Sequence, residues 1–324
     1  MRLLVTGGLG FIGHHLCRSL LARGDTLRVL DDYSDAPYPT AMKRENEESL
    51  RREPDATERL AVVRGCITDR EVVTRLVNDV DGVVHLAGLA GVRPSFASPA
   101  HYARVNVEGT ATLLDAAQRA GVSLFVYASS SSVYGNATPL PAPEDAAAIV
   151  PESPYAASKR SAELVISAML RKTPDTRCPA LRFFTVYGPR QRPEMAITTF
   201  LRKVLAGEPI TMFGDGSMRR DFTHVDDIVR GVIAAVDRSP KGYRPYNLGS
   251  GAPITLDDLV LAMQTAAGRD VVVERAPVPL GDVDATFADI SRASSELGWR
   301  PRVTLPEGLA TVVEWLRRSP AASS

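Results

Sequence analysis

Tyr155 and Lys159 stand four residues apart in a stretch that predicts a helix from about Ser153, so both side chains leave one face about one turn apart. A phenol beside an ammonium is suited to base chemistry. Free tyrosine titrates near about 10, and a neighbouring positive charge stabilises the phenolate and brings it towards working pH. Four serines, residues 129–132, follow the apolar run 124–128, where a hydroxyl can donate to a reacting oxygen. Serines also cap strand ends for structural reasons, and tyrosine–lysine pairs at this spacing decorate many surface helices. Their meaning depends on what lies beside them.

Residues 2–13, RLLVTGGLGFIG, supply that context: an apolar strand, then Gly7, Gly10 and Gly13 at three-residue spacing. These glycines permit a tight turn, backbone approach to a pyrophosphate and close packing of the next helix, whose N-terminal N–H groups face the anion. A second strand, 27–30, leads into Asp31 roughly twenty residues after the glycines, where a carboxylate can accept hydrogen bonds from an adenosine ribose. Asp31 and Asp32 together would repel a 2′-phosphate, which favours NAD. Lys159 then gains a second task, binding the nicotinamide ribose.

Apolar runs at 60–63, 83–86, 124–129 and 181–184 alternate with amphipathic stretches at 69–78, 101–119 and 153–171. The alternation predicts an α/β fold, a Rossmann doubly wound parallel sheet with its ligand at the carboxyl ends of the strands. After Tyr187 the elements shorten between glycine and proline loops, which predicts a smaller mixed α/β substrate lobe. The expected division is 1–180 for the NAD-binding domain and 181–318 for the lobe, with some segments returning to the first domain and a disordered tail at 319–324.

The 324 residues, 44% hydrophobic and 23% charged, are enough for a large core. Zero formal net charge and the lack of a basic stripe with interleaved aromatics argue against a nucleic-acid partner. Three cysteines in no metal-ligand spacing argue against a disulfide framework or a metal site and fit a reducing cytoplasm. The first strand begins within two residues of Met1 and no apolar run has membrane length, so a cytoplasmic protein without a membrane partner is expected.

The glycine turn, the Tyr155/Lys159 pair, the serines before Val133-Tyr134-Gly135 and the run RRDFTHVDD from Arg219 together resemble the extended short-chain dehydrogenase/reductases. Within them the chain looks most like nucleotide-sugar 4-epimerases, and residues 181–196, LRFFTVYGPRQRPEMA, look like the UDP-glucuronate 4-epimerases. The resemblance implies that Tyr155 removes the 4-hydroxyl proton of a UDP-sugar while hydride passes to NAD. Ser130 shares that oxygen. The 4-keto sugar then swings to offer its other face. It further implies cofactor contacts at Gly7, Gly10, Phe11, Ile12, Gly13, Asp31, Asp32, Ile67, Leu86, Ala87 and Lys159. Substrate contacts are implied at Arg93, Ser131, Ser132, Thr185, Arg192, Arg220 and Asp282, with the two arginines Arg93 and Arg192 near the sugar and its carboxylate. A homodimer paired through helices 101–119 and 153–171 is also implied.

Two departures stand out. Cys66 replaces a carboxylate expected on the adenine amino group, at a cost of about 1 kcal/mol for one hydrogen bond, and the long polar stretch 33–52 has no assigned role. Competing readings are a UDP-glucose or other hexose 4-epimerase, a UDP-glucuronate decarboxylase, a 4,6-dehydratase and a non-catalytic NAD-binding module. The dehydratases and decarboxylases place acids where this chain has Ser131 and Ser132.

Overall fold

Alternating burial sorts the first apolar run into a strand covered on both faces: Leu3 and Val5 pack into one core, Leu4 into another. The protein is described by a computed structural model covering residues 1–35, 37–147, 149–278 and 283–318. The expected tail at 319–324 and Asp282 lie outside the described residues.

The strands of the first half are β1 (Arg2–Thr6), β2 (Thr26–Asp31), β3 (Leu60–Arg64), β4 (Gly82–His85), β5 (Phe125–Ser130) and β6 (Arg177–Phe183). Between them run α1 (Phe11–Ala22), α2 (Thr40–Arg51), α3 (Ala56–Arg59), α4 (Arg70–Leu76), α5 (Val92–Ala97), α6 (Pro99–Ala103), α7 (Thr110–Arg119) and α8 (Pro154–Met169). The second half adds β7 (Thr185–Tyr187), α9 (Ala196–Ala206), β8 (Ile210–Phe213), β9 (Arg219–Arg220), β10 (Phe222–His224) and α10 (Val225–Arg238). It ends with β11 (Gly242–Leu248), β12 (Ile254–Thr255), α11 (Leu256–Ala267), β13 (Val273–Ala276), α12 (Ser291–Leu297) and α13 (Leu305–Arg318).

Seven parallel strands form one sheet in the order β3-β2-β1-β4-β5-β6-β11. The order reverses between β1 and β4, and a crevice opens there at the carboxyl ends. Leu16, Leu20, Ile228 and Val232 from α1 and α10 cover one face. Val73, Leu113, Leu114, Ala162 and Ile166 from α4, α7 and α8 cover the other. A separate core of Ile197, Leu201, Leu259, Met263, Leu309 and Val312 joins α9, α11 and α13 over the crevice. No helix among the described residues is long and apolar enough to cross a membrane.

Three expectations need correction. The polar stretch 33–52, left without a role, contains α2, whose buried Lys43 meets Asp31 at the end of β2 and whose buried Asn46 meets the Leu9 carbonyl in the glycine turn. The helix expected at 101–119 is interrupted by a π turn, Arg104–Gly109, with Asn106 and Gly109 turned inward. The last strand of the first half begins at Arg177 rather than 181. At the start of α8, the Ser153 hydroxyl accepts from the Ala156 N–H at 3.1 Å and Pro154 occupies the first turn, which fixes where Tyr155 and Lys159 emerge.

Candidate active site

The crevice is a cleft of about 830 Å³. Gly7, Gly10, Phe11, Ile12, Gly13 and Leu86 form one end of its wall, and Ser130, Ser131, Ser132, Tyr155 and Lys159 form the middle. Arg93, Thr185, Arg192 and Arg220 close the far side. Asp31, Asp32, Ile67 and Ala87 are not on this wall.

The Tyr155 phenol lies beside Ser130, close enough for that hydroxyl to favour the phenolate. Its proton affinity is raised, not lowered as expected: burial dominates, and the Ser130 hydroxyl and the Arg192 guanidinium only partly offset it. The Lys159 ammonium donates to the Ala128 carbonyl at 2.8 Å and sits 5.2 Å from the centre of the Tyr127 ring. Burial brings Lys159 down to about 8, against an opposing pull from Glu163. Asn106, which the sequence reading missed, clamps the backbone of Leu89 through both amide atoms and donates to Ser158 Oγ, which donates in turn to the Tyr155 carbonyl. The π turn is what brings Asn106 inward, and no spacing pattern announces it.

On the far side, Arg192 pairs with Glu194 at 3.1 Å and leans on the Ala90 carbonyl. The Arg93 guanidinium lies 4.8 Å above the Phe213 ring, joining the two sides of the cleft. Arg220 donates to the carbonyls of Arg219 and Asp284, and the Thr185 N–H donates to the Asp221 carbonyl. Arg190, at φ +65°, donates to Asn46 Oδ1 at 2.6 Å, and Asn46 Nδ2 donates to the Leu9 carbonyl in the glycine turn at 2.8 Å.

At the carboxyl end of β2, Asp31 Oδ1 accepts from Lys43 Nζ at 2.9 Å and Oδ2 accepts from the Leu9 N–H at 3.3 Å. Lys43 also reaches Asp32 at 3.4 Å, so the repulsion expected of the two acids is partly neutralised. Ile67 is 4% exposed and its side chain belongs to the core, which leaves its backbone as the group able to meet a ligand. Cys66 Sγ is 3.1 Å from Thr68 Oγ1.

Residues 3–249 match the NAD dependent epimerase/dehydratase family. The UDP-glucuronate 4-epimerase of Thermodesulfobacterium geofontis is 36% identical over 319 residues, 98% of this chain and 96% of that protein. The chain belongs to the NAD-dependent epimerase/dehydratase family. Among solved structures, UDP-glucuronic acid 4-epimerase from Bacillus cereus, in complex with UDP-glucuronic acid and NAD, matches with a TM-score of 0.91. It is 33% identical, and the match covers 98% of this chain and 99% of that one. The dTDP-glucose 4,6-dehydratase DesIV from Streptomyces venezuelae matches with a TM-score of 0.90 and 34% identity, covering 99% of this chain and 98% of its own.

NAD is the cofactor of this epimerase/dehydratase family member, and its own backbone fits the dinucleotide. A Cβ on Gly13 would overlap the Gly7 carbonyl oxygen, and one on Gly7, at φ +69°, would lie 2.7 Å from the Ala87 nitrogen. Protein backbone fills both spaces, so these two glycines draw the turn tight, while Gly10, whose added Cβ would meet only the Gly7 carbonyl oxygen at 3.3 Å, lines the cleft at the start of α1, where the helix N–H groups suit a pyrophosphate.

Proposed function

We propose that the protein is a UDP-glucuronate 4-epimerase, interconverting UDP-glucuronate and UDP-galacturonate through a transient 4-keto sugar. The relatives from T. geofontis and B. cereus support this reading. The observation that carries it is the Arg192 guanidinium, close enough to the Tyr155 phenol for its charge to favour the phenolate. A carboxylate-gripping fork and a general base thus share one cleft.

Bound NAD supplies the oxidation and the reduction at C4. Tyr155 accepts the 4-hydroxyl proton and later returns it, and Ser130 shares that oxygen. Arg192 and Arg93 meet the sugar and its carboxylate, with Thr185, Ser131 and Ser132 along its edge. Arg220 meets the nucleotide diphosphate, with Asp282 assigned to the nucleotide side. A firm grip on the nucleotide and a loose one on the sugar leave two ring orientations close in energy.

Among the described residues, the carboxylates on the cleft wall are Glu152, which accepts from the Asn136 N–H at 3.3 Å, and Glu194, which pairs with Arg192. Serines at 131 and 132 leave no acid beside Ser130, which disfavours dehydration and decarboxylation. The same reading divides the chain into a cofactor-binding part, 1–180, and a mainly sugar-binding lobe, 181–318, some of whose segments return to the first part as α10 and β11 do, in a cytoplasmic homodimer. Leu164, 55% exposed on α8, supports such pairing.

The NAD-loaded protein, given UDP-glucuronate and UDP-glucose separately, is to be followed by NMR at C4. Inversion of UDP-glucuronate without inversion of UDP-glucose is expected. A pentose product or an unsaturated or 6-deoxy sugar would overturn the reading.

A further inference from the structure

Beneath the cleft lies an ion pair that the reaction as described does not use. Glu163 follows Lys159 by one turn of α8 and is 1% exposed, and Arg182 of β6 meets it with Nε to Oε1 at 2.9 Å and Nη2 to Oε2 at 2.8 Å. Ser129 Oγ donates to the same Oε1 at 2.6 Å, and Arg160 Nη1 donates to Oε2 at 2.9 Å. One carboxylate therefore ties α8, β5 and β6 together, one turn beyond Lys159 and bonded to Ser129, the residue before Ser130. Taking two charges out of water is costly, and a well-packed apolar pair often holds a fold as well or better. The cost points to a role beyond packing.

We propose that Glu163 is a positioning residue of the reaction centre, fixing the Ser129–Ser130 end of β5 and supplying the buried negative charge that faces the Lys159 ammonium. The groups around Lys159 leave that task to no other acid among the described residues. From β4 comes His85, held neutral with its proton affinity down to about 3 by burial and by Lys159 itself. From β5 come the Tyr127 ring and the Ala128 carbonyl, and the Tyr127 phenol is pushed well up by burial. The π turn contributes the neutral Asn106 amide, which like Lys159 Nζ lies beside Gly88, and α8 contributes Glu163. Arg182 and Arg160 face Glu163 rather than Lys159. Without the Glu163 charge, Lys159 loses its proton at a lower pH.

The activity arm of the test rests on the proposed epimerase reading; the titration arm does not. In NAD-loaded protein, the ¹³Cε signal of Lys159, assigned with Lys159→Arg, is followed against pH alongside 4-epimerisation. The variants are Glu163→Gln, the charge-free pair Glu163→Gln/Arg182→Met, and Glu163→Asp. Both glutamine variants are expected to lower the Lys159 midpoint by one pH unit or more, a tenfold change, and to carry the alkaline limb of kcat down with it. Glu163→Asp is expected to restore both. If Glu163→Gln fails to fold, the double variant, which leaves no buried charge uncompensated, decides. A folded variant whose midpoint and limb stay in place while turnover falls equally at every pH overturns the proposal. An unaltered protein that never epimerises sinks the functional reading and leaves the titration to judge Glu163.

Discussion

A phenol buried beside Ser130 keeps its proton in the cofactor-free cleft, because desolvation outweighs the help of the hydroxyl and of Arg192. Replacing it by Tyr155→Phe keeps the shape and removes the proton acceptor. Turnover should fall by about 10²–10⁴-fold, the usual weight of one general base. NMR of the sugar reads the loss, and cofactor retained after gel filtration shows that the site still stands. Glu194 invites a subtler change, since its carboxylate already occupies Arg192 at 3.1 Å and competes with a substrate carboxylate for the same fork. Glu194 is 57% exposed, so the pair is worth about 0.5–1 kcal/mol at most. Glu194→Gln should lower KM for UDP-glucuronate about two- to fivefold and leave that of UDP-glucose unchanged, as initial rates will show.

The glycine turn between β1 and α1 tolerates no side chain at its close approaches. Gly13→Ala must part α1 from Gly7 and Gly8, and NAD affinity is expected to drop at least tenfold by calorimetry, with a lower melting temperature. The turn was legible in the sequence because its physics fixes both residue type and spacing, and Tyr155 and Lys159 were legible because one helical turn relates them. The doubly wound sheet followed from strand–helix alternation in the same way. Lys43, Asn106, Glu163 and Arg182 were not, since their work is done across the fold: Ser129 meets Glu163 over 34 positions, and Lys43 meets Asp31 from a helix hidden in a polar stretch. The expected fall in the proton affinity of Tyr155 failed for a related reason. Spacing reveals a lysine one turn away but not the burial of the phenol, and the charge that acts on Tyr155 is that of Arg192, while Lys159 turns to the Ala128 carbonyl.

Across the whole molecule, several histidines are held neutral by burial, with His14 down to about 2 and His85 to about 3. Both titrate near 6.5 when unfolded. Above that value neither state binds the proton and the stabilising contribution is fully present. As pH falls below it, the unfolded chain takes up protons that the fold refuses, and each histidine removes about 1.4 kcal/mol per pH unit. Urea unfolding at pH 7, 6 and 5 should show this slope, flattened by His85→Asn. At the same scale, Asn46 holds the carbonyl of Leu9 with one amide atom and the side chain of Arg190 with the other, two residues before Arg192. The glycine turn and the segment that carries Arg192 are thus joined through a single amide, and by reciprocity whatever affinity a ligand at one lends to a ligand at the other would be lent back in equal measure. For the epimerisation proposed above, which oxidises and reduces with one and the same molecule in every cycle, a filled sugar site that tightened the hold on the cofactor would do so at the stage when losing it strands the ketone.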